Sequence, residues 1–322
     1  MSAARLSVWA VSDGRAGIEN QALGLAEAVA RLRPADVTVK RIRWRGGYGR
    51  LPTWAQRAPR SFLSDPNSIA PPWPDLWVAA GRASLPFSLR VRRWSGGRTF
   101  VVQTQDPSLP AQRFDLVVPP EHDRLSGPGV FPILGSPNRI TPERLATAAA
   151  ESAPVLAGLP RPLVVVLIGG RSKAYDLPVE RAETLAREVT HAVRASGGAA
   201  LTTLSRRTPE AARAVLRTAL AGLGPVYDGD GPNPYFAWLG AADVAMVTAD
   251  SANMLTEAAA AGLPTYLLPL PGGSPKFERL HEALRDRGAL RTLEGRIEMW
   301  RYPRLAETDR AAAEILRRLE AR

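Results

Sequence analysis

Glu257 lies about two turns into a stretch, 253–261, that is otherwise almost all small or apolar and reads as helix. A carboxylate in such company is predicted to point at a site rather than at bulk water. Just before it, 244–247 has the length and character of a strand. Thr248, Asp250 and Ser251 then form a polar turn with good helix N-cap chemistry. Gly262 closes the helix, and 265–268 reads as a second apolar strand. The resulting β-α-β unit matters because α/β proteins hold phosphates at the carboxyl ends of parallel strands and the helix N-termini beside them.

Four more turns carry residues able to do chemistry. Ser-Asp-Gly-Arg-Ala-Gly at 12–17 follows a strand and opens a helix. Gly14 and Arg15 suit an anion there, and Asp13 at a strand end suits a general base. The spacing does not match a GxGxxG loop, and a tight structural turn is the plain alternative. Leu-Ile-Gly-Gly-Arg-Ser-Lys at 167–173 is the equivalent turn further on. Its Gly169 and Gly170 would let backbone amides approach an anion, with Ser172 and Lys173 as donors. Ser-Arg-Arg-Thr-Pro at 205–209 puts Arg206 and Arg207 where either can grip a diphosphate in a fork, or form a solvated pair at a helix cap. Asn233-Pro-Tyr235 reads as a rigid turn whose ring can face a base or sugar, or as a plain helix entry.

These turns need strands and helices to hold them. Strands are expected at 6–11, 37–42, 76–80, 99–103, 116–118 and 130–134, with helices at 21–32 and 141–149. The segment 46–74, rich in Pro, Gly, Arg and Trp, is expected to be a long ordered loop. After Leu-Pro-Arg-Pro at 159–162 the pattern restarts. Strands follow at 163–168, 199–204 and 225–228, helices at 179–195, 209–221 and 277–286, and a last helix at about 305–322. Such alternation predicts parallel sheets with right-handed crossovers. The restart predicts an α/β chain of two Rossmann-like domains facing each other across a cleft, bounded at 1–158 and 159–304. The helix at 305–322 is expected to pack back on the first domain.

The 322 residues suit two domains, and 45% hydrophobic residues suffice for real cores. No apolar run reaches membrane-span length, and the N-terminus does not read as a secretory signal. With no cysteine, a disulfide, a thiolate zinc site and a cysteine nucleophile are excluded. A cytoplasmic protein, in places peripheral to the inner membrane, is the expectation. The net charge is +11, and all but three of the cations are arginine. An Arg-favouring base composition or an anionic partner would both explain it. Arg41, Arg43, Arg45, Arg50, Arg57 and Arg60 interleave with Trp44, Tyr48 and Trp54, a mixture that suits an anionic membrane surface. No pattern supports nucleic-acid binding. His122, His191 and His281 are scattered, no metal-ligand cluster is visible, and each histidine is expected to be structural or on the surface.

The segments SDGRAGIENQ, LIGGRSKAYDL, SRRTP, GPNPYFAWLGAADVAMVTADSANMLTEAAAAGLP and KFERLHEAL together resemble bacterial relatives of the plant elongated-mitochondria (mitochondrial fission) proteins. Asn138 and Ala174 stand where that resemblance leads one to expect histidine. The second half also resembles the donor domain of GT-B glycosyltransferases. The resemblance implies Glu257 as a ribose ligand, with Ser251, Asn253 and Met254 beside a diphosphate. It implies Lys276, Glu278 and Arg279 near a donor sugar, and Asp13 as base in an acceptor-side domain. A nucleoside diphosphate sugar would be the co-substrate, without metal or other cofactor. A nucleotide-sugar epimerase or hydrolase on the same fold, and a non-catalytic membrane-associated scaffold, remain as alternatives.

Overall fold

The apolar runs that head most β-α repeats are buried on both faces, as a parallel sheet covered by helices requires. The computed structural model describes residues 5–322. Two compact units emerge, Met1–Arg139 with Ala306–Arg322, and Ile140–Leu305.

In unit 1, β1 (Leu6–Ser12), β2 (Ala35–Arg41), β3 (Leu76–Ala79), β4 (Phe100–Thr104) and β5 (Leu116–Val118) form a parallel sheet in the order β2-β1-β3-β4-β5. α1 (Ala16–Leu32) links β1 to β2, and α2 (Leu85–Trp94) links β3 to β4. Unit 2 begins with α3 (Pro142–Leu156). Its strands are β6 (Leu163–Ile168), β7 (Ala199–Leu204), β8 (Val226–Tyr227), β9 (Val244–Thr248), β10 (Thr265–Leu268) and β11 (Leu290–Thr292). They lie parallel in the order β11-β10-β9-β6-β7-β8. Between them run α4 (Val179–Ala195), α5 (Glu210–Leu220), α6 (Tyr235–Ala241), α7 (Ala252–Ala261) and α8 (Pro275–Asp286). The chain ends with α9 (Glu307–Glu320).

Each sheet has one place where consecutive strands leave in opposite directions, β1/β3 in unit 1 and β6/β9 in unit 2. Crevices at the carboxyl ends of strands open at such points. The turn at 12–17 follows β1, the Gly169-Gly170 turn follows β6, and the Thr248–Ser251 turn follows β9. Sequence order and sheet order together therefore bring the candidate turns of each unit to its switch point.

Local chemistry sets the helix ends. Gly262 takes the left-handed conformation (φ +79°) and its N–H returns to the carbonyls of Ala258 and Ala259, ending α7. The Thr141 hydroxyl accepts from Arg144 N at 3.2 Å and starts α3. In α1, Gly24 has no room for a side chain, because a Cβ there would stand 2.3 Å from the Asn138 carbonyl oxygen.

The unit boundary falls at 139/140 and not at 158/159. α3 packs on α6, with the Gly240 backbone so close to the Leu145 carbonyl that a Cβ would come within 2.3 Å of it. The Leu-Pro-Arg-Pro stretch is thus a turn inside unit 2. α9 lies on α1, burying Ala311, Ala312, Ile315 and Leu316 in the core of unit 1. The run 130–134 is not a strand. Pro132 interrupts it, and only Val130 and Ile133 form isolated bridges, to Val117 and Pro120. α2 and β11 were not expected, and α1 starts at Ala16 rather than at 21.

The segment 46–74 is ordered by its aromatics rather than presenting them as a row of surface anchors. Trp44 stacks on Phe87 (5.3 Å between ring centres) and Tyr48 on Phe62 (4.0 Å). Arg60 lies over the Trp73 and Trp94 rings at 5.5 and 5.9 Å. Arg41 forks onto Glu19 at 2.6 and 2.9 Å. Of the expected interfacial aromatics, Trp54 alone is left well exposed, at 80%. Among the described residues no helix is long and apolar enough to cross a membrane.

Candidate functional site

At the β6/β9 switch point the Gly169-Gly170 turn is locked from inside. Gly169 N donates to Thr248 Oγ1 (2.8 Å) and Gly170 N donates to Asp250 Oδ2 (3.0 Å). Thr248 Oγ1 donates in turn to Asp250 Oδ1 (2.7 Å). Ser205 and Thr208 hydroxyls both donate to the Gly169 carbonyl, at 2.7 and 2.6 Å. Arg207 Nη1 completes the cluster, 2.7 Å from Asp250 Oδ2. Only glycine fits these two positions. A Cβ on Gly169 would lie 2.2 Å from Asp250 Oδ1, and one on Gly170 (φ +150°) 2.2 Å from the Arg207 carbonyl oxygen.

This corrects one expectation. The two glycine amides are not turned out toward an anion, because the Thr248 hydroxyl takes the Gly169 N–H and the buried Asp250 carboxylate takes the Gly170 N–H. Asp250 is therefore a structural acceptor that joins the turns after β6, β7 and β9, and Arg207 is committed to it rather than to a diphosphate. Arg206 and Lys173 stay exposed on the neighbouring turns. The Ser172 hydroxyl accepts from the Ala174 and Tyr175 amides (3.2 and 3.1 Å), which shapes its own loop. That loop is tied across to Gly272–Gly273, with Gly273 N donating to the Ala174 carbonyl at 2.7 Å.

Glu257 is buried on the second turn of α7, and Tyr235, at the first residue of α6, donates its phenol to Glu257 Oε2 at 2.5 Å. Burial raises the Glu257 carboxyl from its ordinary 4.5 to about 7, against the lowering effect of the Tyr235 hydrogen bond. Burial also pushes the Tyr235 phenol well above 10.0, and the neighbouring carboxylate adds to it. Asn233 Oδ1 accepts from Tyr235 N at 3.0 Å, so the Asn-Pro-Tyr turn is a helix entry whose first side chain reaches this carboxylate. Ser251 is buried at the start of α7, with Asn253 and Met254 half-buried on its first turn. Lys276 and Glu278 are exposed on the first turn of α8, with Arg279 half-buried beside them.

A carboxyl held near 7 has a sign that can be tested. The protonated form is favoured by folding, so the contribution is intact below pH 4.5 and is lost as pH rises to about 7. The loss is about 3 kcal/mol above that range. His281, lowered from 6.5 to about 4 chiefly by burial, acts in the opposite sense as pH falls from 6.5 to 4. Comparing wild type with Glu257→Gln removes the histidine contribution. The variant is expected to gain about 2–3 kcal/mol on wild type between pH 5 and pH 8 in urea unfolding. A constant difference across that range would show that Glu257 is not titrating there.

The histidines occupy structural or peripheral positions. His281 is buried with Nε2 3.1 Å from the Ala249 carbonyl oxygen, and His122 is buried 4.0 Å from Asp123. His191 is exposed on α4. Among the described residues no group of three or more His, Cys, Asp or Glu is placed to hold a metal ion.

In unit 1, the turn after β1 places Asp13 with Arg15. Asp13 Oδ1 accepts from Arg15 N (3.1 Å) and Oδ2 pairs with the Arg15 guanidinium (2.8 Å). Gly14 takes φ +80° and packs on the Arg41 side chain. Asn138, where histidine was expected, is buried with its N–H on Thr308 Oγ1 at 3.0 Å. Neighbouring Leu134 N donates to Glu307 at 3.0 Å, which pins α9. The Tyr235 partner of Glu257 was missed as a pair, since nothing in the periodicity links positions 22 residues apart.

A model of the family described as mitochondrial fission ELM1 matches residues 16–319. The chain belongs to the mitochondrial fission ELM1 family. The ELM1 protein of Arabidopsis thaliana is 31% identical over 277 residues, covering 77% of this chain and 65% of the plant protein. The chain thus spans just under two thirds of that relative's length. An uncharacterized protein of Rickettsia prowazekii is 26% identical, covering 83% of this chain and 84% of its own. Among solved structures, UDP-GlcNAc 2-epimerase from Methanocaldococcus jannaschii superposes with TM-score 0.55 at 13% identity, covering 97% and 92% of the two chains. Os79 from O. sativa in complex with UDP gives TM-score 0.55 at 13% identity, covering 98% and 94%. These likenesses assign this ELM1-family chain a GT-B-like α/β fold with two Rossmann-like domains.

Proposed function

We propose that the protein is a nucleotide-sugar-dependent glycosyltransferase of GT-B type. Its donor site is the carboxyl edge of the unit 2 sheet at the β6/β9 switch point, and its acceptor a lipid or envelope molecule at the cytoplasmic membrane face. The observation that carries the reading is Glu257, a buried carboxyl on the helix that follows β9, already bonded to a hydroxyl at 2.5 Å. The Tyr235 phenol occupies the position a ribose hydroxyl takes when a nucleotide displaces it. The solved complex of Os79 with UDP, and the UDP-GlcNAc 2-epimerase of similar fold, support a uridine nucleotide as the first to test.

In the transfer step an acceptor hydroxyl attacks the anomeric carbon of the sugar and the bond from that carbon to the diphosphate oxygen breaks. The nucleoside diphosphate leaves, and the hydroxyl proton passes to a base. Asp13 is the candidate base, and Arg15 must release it first. Lys173, Arg206 and Lys276 supply positive charge for the leaving diphosphate, without metal or other cofactor. Exposed Trp54, Leu51 and Phe62 near Arg43, Arg45 and Arg50 suit a membrane-face acceptor.

Incubating the protein with UDP-N-acetylglucosamine and total membrane lipid, with products separated by mass, tests this. Lipid-dependent release of UDP supports transfer. Conversion to an isomeric nucleotide sugar without lipid would move the assignment to an epimerase. No change with UDP-N-acetylglucosamine, nor with the common UDP, GDP and CDP sugars tried in the same way, would leave the non-catalytic scaffold.

A further inference from the structure

Unit 1 contains a cavity of 860 Å³ at the carboxyl ends of β3 and β4, and its wall carries Arg57, Arg82, Arg90, Arg93 and Arg113. One carboxylate lines the same space. It is Asp106, whose Oδ1 accepts from Ser108 N at 2.7 Å. None of the five arginines has an ion-pair partner among the described residues. Two are fixed by neutral acceptors instead, Arg82 Nη2 on the Leu51 carbonyl and Arg90 Nη1 on the Pro86 carbonyl, each at 2.8 Å. Those bonds hold the guanidiniums in place and leave their charge uncompensated.

The surroundings point the same way. Burial lowers the Arg90 guanidinium below its usual value; Tyr48 opposes this, and the Arg93 and Arg113 charges add to it. Mutual repulsion of this kind is relieved by an anion between the groups. Thr104, fully buried in the cavity wall, has its Oγ1 without a hydrogen-bond partner. The next residue, Gln105, is held at φ +67° and Ser108 at φ +52°, left-handed conformations that non-glycine residues rarely adopt. Trp54, Leu85 and Leu89 give the same cavity an apolar side.

We propose that this cavity binds a phosphate or diphosphate group attached to an apolar moiety. The arginines hold the anion, and Trp54 with the two leucines covers the apolar part. Its role as the acceptor pocket rests on the transferase reading above, whereas its anion binding stands apart from it. The ligand's phosphate belongs either to a soluble phosphate ester or to a lipid headgroup, and the two sources separate in the test.

Wild type, Arg93→Gln and Arg113→Gln are titrated with inorganic pyrophosphate by calorimetry, and each is sedimented with vesicles of phosphatidylcholine carrying phosphatidic acid. Both substituted residues are exposed, and circular dichroism checks that the variants fold. Saturable pyrophosphate binding, weakened at least about tenfold in each variant and by added salt, supports the site with a soluble ligand. Vesicle binding lost in the variants, with weak pyrophosphate binding, supports it with a lipid headgroup. Glu257→Ala is expected to leave both measurements unchanged, so failure of the nucleotide site and failure of this one are distinguishable. No binding of either probe, or binding equal in wild type and variants, would overturn the proposal.

Discussion

Replacing Asp250 with alanine is expected to destabilise unit 2 by about 3 kcal/mol, within the range for breaking a buried polar network. Three donors converge on this carboxylate: Gly170 N–H, the Thr248 hydroxyl and Arg207. Arg207 is 41% exposed and can rehydrate, so its share of the loss is small. Gly170 N–H cannot, and an orphaned buried amide accounts for most of the cost. Asp250→Asn should cost less. Its amide oxygen can keep Gly170 N–H and Arg207, and its nitrogen can face Thr248 Oγ1, a hydroxyl that accepts as well as donates. The urea midpoint measures this, and a change below about 0.5 kcal/mol in Asp250→Ala would mean the turn does not depend on Asp250.

The second large effect is on binding. Glu257→Ala is expected to weaken UDP binding by about 1.5–3 kcal/mol, roughly ten- to a hundredfold. A ribose hydroxyl bonding to a buried carboxylate is a charge-assisted contact, and methyl cannot replace it. The net effect stays within that range because the nucleotide must displace the Tyr235 phenol, exchanging one hydroxyl donor for another. The variant is expected to stay folded, since it also removes a buried charge that costs about 3 kcal/mol when ionised. Unchanged UDP affinity in a folded variant would take Glu257 out of the site.

Much of the fold was legible because a parallel sheet buried on both faces needs unbroken apolar runs. Residues 163–168, 199–204 and 244–247 could hardly be read otherwise. Periodicity failed where a run was interrupted or short, at Pro132 and at β11 (Leu290–Thr292). It also failed for α2, where Pro86 sits at the helix start and arginines crowd the last turn. The unit boundary was misplaced because α3 is assigned by its packing on α6, which no local pattern records. In the site, Glu257 stood out as a carboxyl in a small, apolar helix, and the structure buries it. What it bonds to was not legible, because Tyr235 arrives from another helix. The Gly-Gly turn suggested amides open to an anion. The actual acceptors, Thr248 for Gly169 and Asp250 for Gly170, lie 79 and 80 residues away in sequence and reach the turn only through the pairing of β6 with β9.

The most direct test of a ribose contact at Glu257 is a cycle that removes each partner in turn. UDP and its 2′-deoxy counterpart are titrated by calorimetry into wild type and Glu257→Ala. The expected result is about tenfold weaker binding of the deoxy ligand to wild type, and little discrimination by the variant. Equal discrimination in both proteins, or no binding of UDP to wild type, would contradict a nucleotide held by Glu257.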